Sequence, residues 1–196
     1  MCHCLTDGVE QQGDLGEFNQ CQGQLKDLYL THNLPGHRDE FLGYRILYMI
    51  HTNNKTELVQ TIASLTDDQK RGECVSHSLA VRSAVATSNY HSFFALDMTA
   101  PFLSGYLMDQ FVDKERVKAL KIICTAFRPS FKLEDLALGF VSIEEALDWL
   151  KEYRLPVTQS PVDNQLELDT KAGLGVIQQH FLEMSMKGVD IKGQIH

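Results

Sequence analysis

The sequence predicts a mainly α-helical fold: tetratricopeptide-like helical repeats followed by a C-terminal winged helix. Three observations predict it. Apolar residues recur at helical spacing through the first two thirds of the chain. A short polar-then-aromatic string recurs at intervals near the roughly 34 residues of a stacked helix pair. After Pro129 the order is helix, turn, helix, a turn-rich stretch and a segment of period two, which is the order of a winged helix.

Phe41, Tyr44, Leu47 and Tyr48 share one helical stripe that stops at Asn53-Asn54. Val75, Leu79, Ala80 and Ala84 form a second stripe, and Val117, Leu120, Cys124 and Phe127 a third, closed by Arg128-Pro129. Such spacing turns one face of each helix into a core. The recurring string is Gly13-Asp14-Leu15-Gly16-Glu17-Phe18, again at Ser88-Asn89-Tyr90-His91-Ser92-Phe93, and more loosely at Asn54-Lys55-Thr56-Glu57-Leu58-Val59. Each polar pair is expected to cap a helix, with the residue behind it entering a neighbouring groove.

Past Pro129, Leu133 to Leu138 reads as a short helix stopped by Gly139, a left-handed C-cap. Ser142-Ile143-Glu144-Glu145 is a capping box for the next helix. Ile143, Ala146, Leu147, Leu150 and Tyr153 are expected to line its buried face. Trp149 then lies about 100° from Leu150 and is expected to be partly buried, as an anchor for a partner. Leu155 to Thr158 starts a strand, Ser160 to Asn164 is a turn, and Leu166 to Asp169 alternates as a half-buried strand, with Leu166 and Leu168 as further partner-contact candidates. Val176 to Met186 is weakly helical and leads to a polar tail with Gly188 and Gly193, where fraying is expected. The expected organisation is a tail over 1–12, helical repeats over 13–129, a winged helix over 130–170 and a weakly helical tail over 171–196.

The chain has 196 residues, 43% hydrophobic and 22% charged, enough apolar content for one sizeable domain and too much for a disordered chain. Its five cysteines, Cys2, Cys4, Cys21, Cys74 and Cys124, are odd in number and mostly far apart. With no secretory signal and no membrane-length apolar run, a reducing compartment, cytosol or nucleus, is expected. Asn54-Lys55-Thr56 is formally a glycosylation sequon, without meaning in such a compartment. No phosphate-binding glycine loop, His-Glu-x-x-His pair or Gly-x-Ser-x-Gly elbow is present. Cys2-His3-Cys4 lacks further ligands nearby and reads as an oxidisable tail, not a metal site. Ser76 and His77 point about 100° apart on a helix, Cys124 sits on an apolar stripe, and His91 is placed for packing. Neither an active site nor a cofactor is expected.

One feature does point to binding. Lys114, Arg116, Lys118, Lys121, Arg128 and Lys132 fall in a stretch opposed only by Glu115, and Lys151 and Arg154 follow on the next helix. In a chain of net charge −8 this segregation suggests phosphate contacts that position RNA without reading its sequence. Lys114, Lys118 and Lys121 recur at i, i+4 and i+7, so they share one helix side.

Several longer strings carry a family resemblance. They are Glu17-Phe18-Asn19-Gln20-Cys21-Gln22 with Gln24-Leu25; Glu40-Phe41 with Tyr44 to Tyr48; Ser88 to Phe94; Ala100-Pro101 with Ser104 to Leu107; and Phe127-Arg128-Pro129. Together they resemble the SAC/GANP family, in its branch of Thp-type factors, over residues 13 to 170. The resemblance implies a PCI-type domain and a non-enzymatic scaffold. It implies pairing with a second PCI-domain protein, a small acidic Sem/Dss-type protein as partner, RNA binding, and a nuclear setting in mRNA processing and export. The alternative is a proteasome regulatory-particle lid subunit of the same superfamily, which the basic run disfavours. Family members carry a long region before the first string, so the resemblance implies nothing about functions housed upstream.

Overall fold

The computed structural model describes residues 15–32, 36–136, 138–160 and 164–187. It is mainly helical, with nine α-helices and one small sheet among these residues. The helices α1 (Leu15–Thr31), α2 (Arg38–His51), α3 (Lys55–Ser64), α4 (Asp67–Arg71), α5 (Glu73–Ala86), α6 (Tyr90–Met98) and α7 (Ser104–Ala126) come first. Strand β1 (Ser130–Lys132), a 3-10 turn (Leu133–Asp135), α8 (Ile143–Glu152), β2 (Val157–Gln159), β3 (Leu166–Asp169) and α9 (Thr170–Lys187) follow. Among the described residues no strand precedes Ser130. The chain divides into two compact units: Met1–Ala86 with Leu96–Phe111, and Thr87–Ala95 with Val112–His196.

In the first unit, local chemistry sets the helix starts. The Asn54 side chain accepts from the Glu57 amide at 3.4 Å and donates to its carboxylate at 2.9 Å, satisfying donors that α3 leaves open. Thr66 and Gln69 form a reciprocal capping box on α4. The core gathers Ile46, Met49, Leu58, Leu65 and Val75, with Leu42, Ile50, Ile62 and Leu79 against it. The backbones of α2 and α5 come close because Gly43 has no side chain. A Cβ there would lie 2.8 Å from the Cys74 carbonyl carbon and oxygen. Tyr44 donates to Glu40 at 2.7 Å and accepts from the Leu103 amide at 3.0 Å. Burial, then the Glu40 hydrogen bond, raises its pKa.

In the second unit, Ser92 donates its backbone N–H to Asn89 at 3.1 Å, so the asparagines at 54 and 89 both cap helices as expected; Asp14 lies outside the described residues. The sheet is antiparallel with order β1-β3-β2. Phe131 pairs with Leu168, and Leu168 with Val157, while Lys132, Glu167 and Thr158 form the neighbouring row. Alternation therefore puts Leu168 on the covered face and Glu167 on the other. Cys124, Leu150, Leu168 and Ile177 are fully buried.

Three elements differ from expectation. Where a helix is expected over Leu133 to Leu138, the described residues form only a 3-10 turn, Leu133–Asp135, and Ser130–Lys132 pairs as a strand instead. The covered face of α8 carries Ala146, Trp149 and Leu150, rotated from the expected face so that Ile143 is 41% exposed. The final helix begins at Thr170, well before Val176, and runs for 18 residues. Asp169 ends β3 and accepts from the Ala172 amide at 2.9 Å, while Thr170 donates through its backbone N–H and its hydroxyl to the Pro129 carbonyl. Those contacts start the helix despite Gly173 and Gly175. The expected tail at Gly188 and Gly193 lies outside the described residues, as do Cys2-His3-Cys4 and residues 161–163 of the turn.

Candidate functional site

The cations singled out from sequence all fall in the second unit: on α7, in the link between α7 and β1, on β1, and at or just past the C-terminal end of α8. Lys114, Lys118 and Lys121 share one side of α7, and all three are half-buried. Burial, then the neighbouring Lys118, lowers the Lys114 pKa. Lys118 lies 2.5 Å from Glu115, a carboxylate that is itself buried. The Lys121 ammonium sits 4.1 Å from the centre of the Phe181 ring on α9, a cation–π contact. This side of α7 is therefore largely engaged within the fold.

Arg116 departs furthest from the expectation of a phosphate contact. Its side chain is only 12% exposed. Nε donates to the Leu138 carbonyl at 3.1 Å and a terminal nitrogen to the Gly139 carbonyl at 3.4 Å. The other terminal nitrogen meets Asp113 at 3.3 Å, and the guanidinium lies 4.2 Å from the centre of the Phe140 ring. Arg116 thus clamps the loop that enters α8. Its planar fork suits such a site, with several acceptors at fixed angles. Gly139 makes the loop possible: its φ is +71°, and a Cβ would lie 2.8 Å from the Phe94 ring.

Trp149 also departs from its expected place. It is 8% exposed, and its indole N–H donates to Asp113 at 2.8 Å. Its ring stacks on Tyr153 at 4.0 Å and meets Phe140 at 5.9 Å. The physical reason is the rotation of α8, which aligns Ala146, Trp149, Leu150 and Tyr153 at i, i+3, i+4 and i+7. Leu168 is fully buried in the core, not presented to a partner; Leu166 is half-buried.

Four predicted cations remain at the surface: Arg128, Lys132, Lys151 and Arg154. Lys151 pairs with Asp148 at 3.0 Å, but both side chains are more than two-thirds exposed, so the pair contributes little and is readily exchanged. Arg154 holds a left-handed backbone, φ +55°, just past α8. Beside Arg128 stands Phe127, 48% exposed, its ring 4.8 Å from that of Phe131. Sequence reasoning put Phe127 on the core stripe of α7; it lies beyond the helix end, where the stripe no longer governs its direction. Asp113 and Phe140 were missed altogether, since nothing local marks residues that meet only through the fold.

Ser76 is exposed, and His77 Nε2 lies 2.9 Å from the Leu96 carbonyl. Cys74 and Cys124 are buried, and burial pushes both thiols up to about 11. Among the described residues no three His, Cys, Asp or Glu side chains converge on a metal position, and no helix is long and apolar enough to cross a membrane.

With this arrangement in hand, the comparison with known proteins is decisive on ancestry. The SAC3/GANP family matches residues 1–159. The chain belongs to the SAC3/GANP family. Its relatives include the THP3 homolog C2A9.11c of Schizosaccharomyces pombe, 41% identical over 189 residues, which cover 94% of this chain and 46% of that protein. The leukocyte receptor cluster member 8 homolog of Xenopus laevis is 43% identical over 171 residues, covering 85% of this chain and 21% of the relative. SAC3 family protein A of Arabidopsis thaliana is 36% identical over 178 residues, covering 83% and 18%. The chain thus spans less than half the length of each of these SAC3/GANP relatives.

Proposed function

We propose that this SAC3/GANP domain is a non-catalytic scaffold of a nuclear mRNA-processing or export complex. In this reading residues 130–170 act as a PCI-type winged helix that pairs with a second PCI-domain protein. A small acidic Sem/Dss-type protein joins the pair, and RNA lies along the joined surface. The observation that carries the reading is the family match over residues 1–159, with relatives bearing THP3 and SAC3 names. A helix-rich chain whose last third carries a small antiparallel sheet followed by a helix is compatible with it. The proteasome-lid alternative draws no support from those relatives.

The geometry narrows which cations would meet RNA. Arg116 is committed to the loop before α8, and the Lys114, Lys118 and Lys121 side of α7 is half-buried. Arg128, Lys132, Lys151 and Arg154 are the stronger phosphate contacts. Trp149 is then a structural support behind a partner surface and not its anchor.

Two experiments test this. The tagged chain purified from its own cells should bring a PCI-domain protein and a Sem/Dss-type protein; a full set of proteasome subunits would overturn the reading. In a salt titration of single-stranded RNA binding, reversing Arg128, Lys132, Lys151 and Arg154 to Glu should weaken affinity and flatten the slope by about 0.7 per lost phosphate contact. Reversing Lys114, Lys118 and Lys121 should do less. Equal binding by wild type and the fourfold variant would refute the surface.

A further inference from the structure

The first unit contains an open groove of about 740 Å³ between α1, α2, α3 and α4. That volume falls in the range of roughly 300–1,000 Å³ typical of ligand sites. Gln22, from α1, lines the groove and is only 6% exposed. Its side-chain nitrogen has no hydrogen-bond partner among the described residues. A buried amide left without an acceptor is costly, and a ligand that brings an acceptor relieves the cost. Three cations line the same walls, Lys26, Arg38 and Arg45, against one carboxylate, Glu57, which pairs with Arg45. The groove is thus cationic in a chain whose net charge is −8. Leu25, Leu42 and Leu65 add apolar lining to the same groove.

We propose that this groove binds an extended, acidic peptide segment of a partner protein. In an extended chain alternate side chains point to opposite sides. One row, apolar, would settle on Leu42, and the other, carboxylates, would meet Lys26 and Arg38. A peptide carbonyl would accept from Gln22. Nucleic acid fits less well. The aromatic rings of the groove are already used: Arg38 lies over Tyr29 at 5.4 Å, and the Tyr29 and Phe41 rings meet at 6.5 Å. The site lies entirely in the first unit, and this proposal stands or falls independently of the RNA surface of the second.

The test uses the full chain and a short fluorescein-labelled peptide alternating leucine with aspartate, followed by anisotropy. Wild type should bind it, and a matched peptide with lysine for aspartate should not bind. Lys26→Glu with Arg38→Glu should abolish binding. Gln22→Leu removes only the amide and should weaken binding by about five- to tenfold, the worth of one hydrogen bond. Because that change also removes an unsatisfied buried group, its melting temperature should hold or rise, so weaker binding cannot be ascribed to unfolding. Equal affinity for the acidic and basic peptides, or unchanged affinity in both variants, overturns the proposal. So does a uridine oligonucleotide that binds wild type and displaces the acidic peptide from this groove.

Discussion

Replacing Gly43 by alanine should destabilise the protein, although alanine is the better helix former. In an exposed helix interior the exchange gains about 1 kcal/mol. At Gly43 the new Cβ would sit 2.8 Å from the carbonyl carbon, carbonyl oxygen and Cβ of Cys74. Two of those atoms are backbone, so no rotamer change relieves the contact; α2 and α5 must move apart. Overpacking of this kind typically costs about 1–3 kcal/mol, and more where nothing can give. A gap of even about 0.5–1 Å also forfeits a quarter to a half of each dispersion contact across it. Ile46, Met49 and Val75 all lie in that core. Taking the upper end, the net loss is about 2 kcal/mol after the propensity gain, or roughly 4–8 °C in Tm for a chain of this size. Gly23 on α1 is the control, since a Cβ there meets nothing within 4 Å; Gly23→Ala should gain up to about 1 kcal/mol. Urea unfolding followed by circular dichroism at helical wavelengths gives both values. The sole tryptophan, Trp149, lies in the other unit, so its emission tests whether the two units unfold together. A Gly43→Ala protein as stable as wild type would refute the close approach of α2 and α5.

Three further outcomes are expected. Arg116→Met should lower stability by about 2–4 kcal/mol in urea titration, because two loop carbonyls and Asp113 lose their charged donor; a loss below about 0.5 kcal/mol, the level of an ordinary surface change, would return Arg116 to the surface. Ser142→Ala should cost about 1 kcal/mol through the lost cap on the Glu145 amide, and an unchanged urea midpoint would show that Glu145, bonded back to the Val141 amide, suffices. Cys74 and Cys124 should make stability fall at alkaline pH. Their ordinary value is 9.0 and burial raises both to about 11, so the contribution is complete below pH 9 and is lost as pH rises through 11. A Cys74→Ala, Cys124→Ala protein should be less sensitive over that window, and an alkaline limb identical to that of wild type would count against buried, protonated thiols.

Most of the helical architecture is legible in the sequence because helix-forming rules act over a few residues. Asn54, Asn89 and Ser142 cap helices where their types and positions predict, and Tyr44, Leu47, Val117, Leu120 and Cys124 are buried as their spacing requires. What escapes local reading is decided by partners distant in sequence. Ser130–Lys132 is a strand only because Leu166–Asp169 lies beside it; three residues carry no period of their own. The last helix was underestimated because its start is fixed by the Pro129 carbonyl, far away in the chain.

The candidate interface shows why a run of charges is a weaker guide than a run of apolar residues. An apolar stripe is driven toward burial, so its period narrows its direction, as for Val117, Leu120 and Cys124, even where the face is rotated as on α8. A cation has several outcomes, and the run from Lys114 to Lys132 divides among them. Arg116 turns inward because carbonyls of Leu138 and Gly139 need a donor there. Lys118 compensates the buried Glu115, and Lys121 rests on Phe181. Trp149 follows the same logic from the apolar side: Asp113 accepts its indole N–H, so the ring can enter the core with its polar atom satisfied. Asp113 serves both Arg116 and Trp149, linking the clamp on the loop to the packing of α8. A charge reversal at Arg116 would therefore disturb the Trp149 environment as well as any phosphate. RNA affinity lost in such a variant would be evidence about this hub, and of the cations predicted from sequence the exposed Arg128, Lys132, Lys151 and Arg154 are those that report on the surface itself.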